Sequence, residues 1–421
     1  MTYEEAIQFV ESVSWLGGRR GLHRVEELMR KLGDPQKHLK FVHVAGTNGK
    51  GSACAMTASI LEQAGYRTGL YVSPHLVRYN ERISVNGKDC SDEAFANLAA
   101  RVCAETEDMA EKPSEFETLT AMALLYFFEQ HCDIVVLEVG LGGRIDATNI
   151  IPAPEAALIM NIGLEHTEYL GNTVEQIAKE KAGVIKPGCD VAAYDVCESV
   201  TDVYKHICKE RDAHLHMADF SALKAEESGL FGQKFSYKSF RHLELRLVGE
   251  HQLKNAAVVL ETVECLRKRG WKISDEAVHV GMKFAKWPAR LEILSETPLF
   301  LLDGAHNPQC AETLAESLRT LFAGKRIVFL TGVLKDKAYD EIMGAVMPYA
   351  AQFVCLTPDS QRALPAKDLA AWFHAQGKKA VAAADVEEGI ALAKEAAGPD
   401  GIVVCFGSLY LAGAVRAALK P

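Results

Sequence analysis

Phe41-Val42-His43-Val44-Ala45-Gly46-Thr47-Asn48-Gly49-Lys50-Gly51-Ser52 decides how the rest of this chain is read. Five residues of strand composition run straight into a glycine loop, and an amphipathic helix is expected from there to Gln63, closed by Gly65. Strand, glycine loop and helix in that order make an anion cradle. The glycines let the backbone turn sharply and aim successive N–H groups inward, and the helix N-terminus adds roughly half a positive charge. Thr47, Asn48, Gly49, Lys50, Gly51 and Ser52 are therefore the candidate phosphate-binding residues, with Lys50 as the mobile cation. Val44 stands where the common Walker pattern has its first glycine, and Gly51 separates Lys50 from Ser52, so the loop is a variant. A plain strand-to-helix turn is the alternative, and the strand context favours nucleotide binding. Phosphate binding alone does not separate a kinase, a regulatory NTPase and a ligase.

On both sides of the loop, apolar runs of strand length alternate with helix-length stretches, the pattern of a parallel sheet covered by helices in an α/β protein. Strands are expected at 41–45, 68–72, 134–139, 157–161 and 191–194. Capping boxes at Ser114-Glu115-Phe116-Glu117 and Thr173-Val174-Glu175-Gln176 should each open a helix. A second series of strands is expected at 299–303, 326–330, 353–356, 380–384 and 402–406. The hinge is placed in the segment that runs from Trp287-Pro288-Ala289-Arg290 through Leu291 to Leu294 and on to Glu296-Thr297-Pro298, giving a P-loop NTPase-like domain over 1–294 and a smaller Rossmann-like domain over 295–421.

Bulk composition agrees with this division. A length of 421 residues exceeds what one core usually organises, and 48% hydrophobic residues supply two. Eleven cysteines with neither CxxC pairs nor regular spacing fit no disulfide framework or zinc module, which points to a reducing, cytoplasmic compartment. The acidic start Met1-Thr2-Tyr3-Glu4-Glu5 is unlike a signal peptide, and the apolar run from Ala121 to Phe128 is too short to span a bilayer. A formal net charge of -10 disfavours nonspecific nucleic-acid binding. Neither nucleic acid nor membrane is expected as a partner. A monomer is compatible with the sequence, which carries no signature of oligomeric state.

Further polar clusters end the expected strands, where ligands gather in open α/β sheets. Glu138 leads into Val139-Gly140-Leu141-Gly142-Gly143-Arg144-Ile145-Asp146-Ala147-Thr148-Asn149 and is suited to magnesium. Asn161-Ile162-Gly163-Leu164-Glu165-His166 closes the next strand. His166 reads equally as a metal ligand or a structural histidine, since imidazole suits softer metals than magnesium. Lys181 and Lys186 fall near a helix C-terminus, where complementing the dipole would explain both.

Together these segments resemble the folylpolyglutamate synthase and dihydrofolate synthase family of Mur-type ligases. The resemblance runs in order through Gly46 to Ser52, Ser73-Pro74-His75-Leu76, Asn80-Glu81-Arg82-Ile83, Phe116-Glu117 before Thr120-Ala121, Glu138 to Asn149, Asn161 to His166 and Glu180 to Lys186. It continues through His251 to Ala256, Trp287 to Arg290, Asp303-Gly304-Ala305-His306-Asn307-Pro308 and Phe406-Gly407-Ser408-Leu409-Tyr410, covering nearly the whole chain. It implies ATP as cosubstrate held around Lys50, and Ser73, Glu138 and His166 at magnesium sites, two ions in all. Lys181 matches a lysine that the family carries as a carbamate. Asn255, Arg290 and Asp303 match nucleotide-binding positions; read alone, the first two are a polar helix residue and a surface cation. Arg82, His306 and Ser408 match the glutamate-recognition set. Phe116, Thr120, Asp146 and Ala147 match the folate side, although Phe116 alone reads equally as core and Glu117 as a cap. Ala289 stands where the family often has glycine.

The activity so implied is ATP-dependent joining of L-glutamate to a folate or to dihydropteroate. A carboxylate is a poor acyl donor, so it is first converted to an acyl phosphate, which the amine of glutamate then attacks. Rival readings are a muramyl-peptide amino-acid ligase, which the 73–82 and 116–121 segments oppose, and a P-loop kinase or regulatory NTPase. A noncatalytic folate-binding relative would have little need of Lys50 and Glu138.

Overall fold

Every residue of β1 (Phe41–Ala45) is buried, as expected of an interior parallel strand covered on both faces. The computed structural model describes residues 1–12 and 21–420, in two units. The first is Met1–Glu227, Lys234–Arg246 and Gln252–Lys286; the second is Ser228–Gln233, Leu247–His251 and Trp287–Pro421.

In the first unit the chain continues through β2 (Thr68–Tyr71), β3 (Ile83–Val85), β4 (Lys88–Asp89), β5 (Ile134–Glu138), β6 (Ala156–Ile159), β7 (Asp190–Ala193) and β8 (His214–Met217). These form one sheet in the order β4-β3-β2-β5-β1-β6-β7-β8. All neighbours pair in parallel except where β3 meets β2 and β4. Because β5 and β6 flank β1, the segments leaving these three strands emerge side by side at the sheet's carboxyl edge, a topological switch point. The same unit holds most of β9 (Leu223–Gly229), β10 (Gly232–Tyr237) and β11 (Phe240–Leu245), a three-stranded sheet.

The helix after the glycine loop spans Lys50–Gln63, but it is not amphipathic as expected. Ala53, Cys54, Met56, Thr57, Ala58, Ile60 and Leu61 are all buried, covering every face. The reason is a second layer: helix Asp275–Phe284 packs on its outer side, and Ser59 Oγ donates to the Gly281 carbonyl at 2.7 Å. Both expected caps form. Ser114 and Glu117 exchange reciprocal bonds, whereas Thr173 caps alone, because Gln176 Oε1 takes the Asn172 amide at 2.7 Å instead.

The second unit holds β12 (Glu292–Glu296), β13 (Leu299–Leu302), β14 (Ile327–Thr331), β15 (Ala350–Cys355), β16 (Ala380–Ala382) and β17 (Ile402–Phe406), in the order β12-β13-β17-β14-β15-β16. The sheet is parallel apart from β12. Phe329 packs at the centre of its core, edge-on to Phe406 with ring centroids 5.5 Å apart. The long run of this unit begins at Trp287, the first residue of the segment in which the hinge is expected, and two short segments from earlier in the chain, Ser228–Gln233 and Leu247–His251, join it. The stretch read as linker is a strand: β12 pairs antiparallel with β13 and belongs to the second sheet.

Candidate active site

The glycine loop is fixed from two sides within the first unit. Thr47 N donates to the Asn161 carbonyl at 2.8 Å, and Thr47 Oγ1 donates to the Gly163 carbonyl at 3.1 Å, tying the loop to the segment after β6. Gly49 has φ +88, and a Cβ there would come within 2.6 Å of Asn255 Oδ1, so no other residue fits without displacing Asn255. Two sequence-expected nucleotide residues, distant in the chain, thus meet. Lys50 Nζ donates to the Thr47 carbonyl at 3.2 Å. Ser52 Oγ is buried with no hydrogen-bond partner among the described residues. An unpartnered buried hydroxyl is costly, which suits an atom awaiting a ligand.

Lys181 is buried, and its Nζ donates to the Gly46 carbonyl at 2.8 Å, directly beneath the loop. Burial, reinforced by the Lys50 ammonium, holds its pKa down to about 7, with Glu165 and Asp146 pulling the other way. Dipole complementation therefore does not account for this side chain. Glu138, buried at the end of β5, accepts the Ser73 amide N–H at 3.1 Å, bringing two of the expected magnesium residues together. His166 is exposed, in the left-handed region at φ 51, at the start of the short helix Thr167–Leu170.

On the other side of Glu138, Asp146 closes the glycine run. Its carboxylate accepts the amides of Leu141 at 2.8 Å and Thr148 at 3.0 Å, and the Thr148 hydroxyl at 2.5 Å. His43, a histidine inside an apolar strand, faces the same hydroxyl at 2.8 Å. Burial drives its pKa down to about 3, so it is neutral, and Thr148 already donates to Asp146, so His43 Nε2 carries the proton. The Phe116 ring lies on Gly140, where a Cβ would sit 2.5 Å from Cζ. Thr120 is fully buried and spends its hydroxyl on the Phe116 carbonyl at 2.7 Å. Ala147 is buried beside Asp146. Glu117 is both a cap and the partner of buried Arg24, at 3.1 Å from Nε and from a terminal nitrogen. Arg24 and His43 escaped the sequence reading. A charged residue in a short helix and a lone histidine in a strand were the available signals.

Within the second unit, Asp303 follows β13 and Ser408 follows the neighbouring β17. Asp303 accepts the amides of Leu291 at 3.0 Å and Ala305 at 2.9 Å; burial raises its pKa while Arg290 opposes. The first of these bonds braces Leu291, and Glu292 Oε2 accepts the Ala289 amide at 3.0 Å; Ala289 and Leu291 both lie in the left-handed region, at φ 54 and 46. Arg290 folds back on the Ala289 carbonyl at 2.8 Å. His306 Nδ1 donates to the Gly304 carbonyl at 2.7 Å, which fixes its tautomer. Ser408 precedes helix Leu409–Leu419, and its Oγ is buried with no hydrogen-bond partner among the described residues.

Among the described residues, one group of three metal-type side chains clusters closely enough for a single ion: Asp190, His216 and Cys265. It already holds a cation, since Arg269 Nε donates to Asp190 Oδ2 at 2.6 Å while His216 Nε2 faces Oδ1 at 3.0 Å. Among the described residues no such group includes Glu138 or His166.

Comparison with known proteins bears on the whole chain. Residues 44–263 match the Mur ligase middle domain, and residues 289–409 match the Mur ligase glutamate ligase domain. A Bacillus subtilis protein named dihydrofolate synthase/folylpolyglutamate synthase is 38% identical across 99% of both chains. Among solved structures, an FPGS–AMPPCP–folate complex superposes with a TM-score of 0.85 at 32% identity, covering 100% of both chains. Escherichia coli FolC in complex with DHPP and ADP superposes with a TM-score of 0.88 at 30% identity, covering 100% of this chain and 98% of that one.

Proposed function

This chain belongs to the dihydrofolate synthase/folylpolyglutamate synthase family of Mur ligases, and we infer that it is an ATP-dependent ligase joining L-glutamate to a folate, to dihydropteroate, or to both. The observation that carries the reading is a built phosphate loop with a buried carboxylate, Glu138, and a buried, near-neutral lysine, Lys181, gathered around the ends of adjacent strands. The nucleotide and folate ligands of the relatives support it.

In this reading Thr47 to Ser52 hold the ATP phosphates, and Lys50 screens the approach of the acceptor carboxylate to the γ-phosphorus. A carboxyl oxygen attacks, the bond to the β,γ-bridging oxygen breaks, and ADP leaves an acyl phosphate. The neutral amine of glutamate then attacks the acyl carbon; the C–N bond forms, inorganic phosphate departs, and the amine gives up its proton. Phe116 offers a ring to the flat acceptor, Thr120 lies one helical turn on and bonds the Phe116 backbone carbonyl, and Asp146 with Ala147 shapes the adjoining turn. Asn255 borders the phosphate loop in the first unit. Arg290 and Asp303 are the second unit's proposed nucleotide residues, and His306 and Ser408 its proposed glutamate residues.

Magnesium fits the oxygens available: Ser52 Oγ lacks a hydrogen-bond partner among the described residues, and Glu138 presents a carboxylate next to Ser73. Ser73, Glu138 and His166 are proposed to hold two ions, with His166 the least suited donor. Bound there, magnesium would offset triphosphate charge and polarise the γ-phosphoryl group. Lys181 is proposed to react as the free amine with carbon dioxide, the new N–C bond forming as the nitrogen gives up a proton to solvent, and the resulting carbamate's negative charge would help order the cations; its pKa near 7 supplies that amine. Cytoplasmic residence belongs to the same reading, in keeping with cysteines that are all free among the described residues.

ADP release should require glutamate together with dihydropteroate or a tetrahydrofolate, each tested alone, and Lys50→Ala should abolish it. Release independent of glutamate, or near-normal turnover in the variant, would overturn the assignment.

A further inference from the structure

The loop from Ser73 to Arg82 is held by its own side chains. Glu81 accepts the amides of Leu76, Val77 and Arg78 at 2.9 Å, 3.0 Å and 2.9 Å, which fixes the backbone. Arg82 is buried, with its guanidinium over the Tyr79 ring at 5.3 Å and one terminal nitrogen 3.8 Å from Glu115 Oε1. We propose that His75 is a positioning residue of this ligase: its Nδ1 accepts the Nε–H of Arg82 at 2.9 Å, turning the guanidinium so that its two terminal nitrogens remain for a carboxylate of the incoming glutamate. This rests on the assignment of Arg82 to glutamate.

A guanidinium has five donors in a rigid plane, and whichever edge is tied down decides which edge can grip a carboxylate in two-point fashion. Only an acceptor can sit on Nε–H, so His75 must be neutral with its proton on Nε2. The Tyr79 ring packs on His75 with centroids 4.3 Å apart and holds the imidazole in this orientation.

Steady-state kinetics of the full chain with the acceptor, glutamate and ATP varied in turn provides the test. His75→Leu removes the acceptor and should raise the KM for glutamate about tenfold, the size of one charge-assisted hydrogen bond, with kcat and the KM for ATP changed much less. His75→Asn places a carbonyl oxygen close to the Nδ1 position and should restore most of the lost affinity; His75→Gln places it one bond farther and should not. Equal effects of the three substitutions, no effect from any, or parallel losses for ATP and glutamate would each overturn the proposal. The Asn and Gln pair decides the matter alone if His75→Leu does not fold. Arg82→Ala separates the premise from the proposal: an unchanged glutamate KM there removes the assignment of Arg82 itself. Its tenfold or greater rise beside silent His75 variants removes only the role of His75.

Discussion

Replacing Lys181 by methionine should make the protein more stable at neutral pH while destroying its activity. The side chain keeps its shape and burial but loses the amine. In the native chain the pKa of Lys181 is held at about 7 rather than 10.5, chiefly by burial. Between those values the unfolded chain carries more proton than the native one, so the stability tied to this group is complete above pH 10.5 and is lost as pH falls to about 7. At about 1.4 kcal/mol per pH unit, the penalty is roughly 2 kcal/mol at pH 9 and roughly 4 kcal/mol at pH 7. Losing the bond to the Gly46 carbonyl takes back about 1–3 kcal/mol at either pH. Urea unfolding of both proteins in CO2-free buffer reads the variant-minus-wild-type difference, in which other titrating groups cancel. That difference should widen by roughly 2 kcal/mol between pH 9 and pH 7. Turnover should fall at least about a hundredfold, as for loss of a preorganised charge in the site. A difference independent of pH would refute the burial argument, and a variant with wild-type turnover would remove Lys181 from the machinery.

Two further substitutions probe each unit separately. Gly49→Ala forces a side chain into the left-handed region at φ +88, at a cost of about 1–2 kcal/mol, and drives Cβ to 2.6 Å from Asn255 Oδ1; the KM for ATP should rise at least about tenfold while the glutamate KM holds. An unchanged ATP KM would detach this loop from the nucleotide. Ser408→Ala deletes a buried hydroxyl with no hydrogen-bond partner among the described residues, so thermal melting should be unchanged or slightly higher, yet the glutamate KM should rise severalfold. A destabilised variant with normal glutamate KM would make Ser408 purely structural.

The parts of this account that could be read from sequence are those whose chemistry is local. A strand entering Gly46 to Ser52 specifies its own geometry, because the positive φ of Gly49 and the helix start at Lys50 are set by neighbouring residues. The Ser114 cap is equally local. Lys181 was opaque, since near a helix C-terminus it resembles any dipole-complementing lysine; its burial depends on Gly46, far away in the chain. The expected amphipathicity of 50–63 failed for the same reason, because the helix covering it lies at 275–284. The sheet of β9 to β11 went unread because β9 is largely exposed and offers no apolar alternation. At Thr120 the hydroxyl bonds the Phe116 carbonyl one helical turn back, a contact set locally by the helix.

Isotope transfer tests the central chemistry most directly. With an acceptor whose carboxylate carries oxygen-18, each glutamate-dependent turnover should place one labelled oxygen in the released inorganic phosphate and leave the other in the new amide. Phosphate free of label, with ADP and amide still formed, would contradict an acyl phosphate and the account built on it.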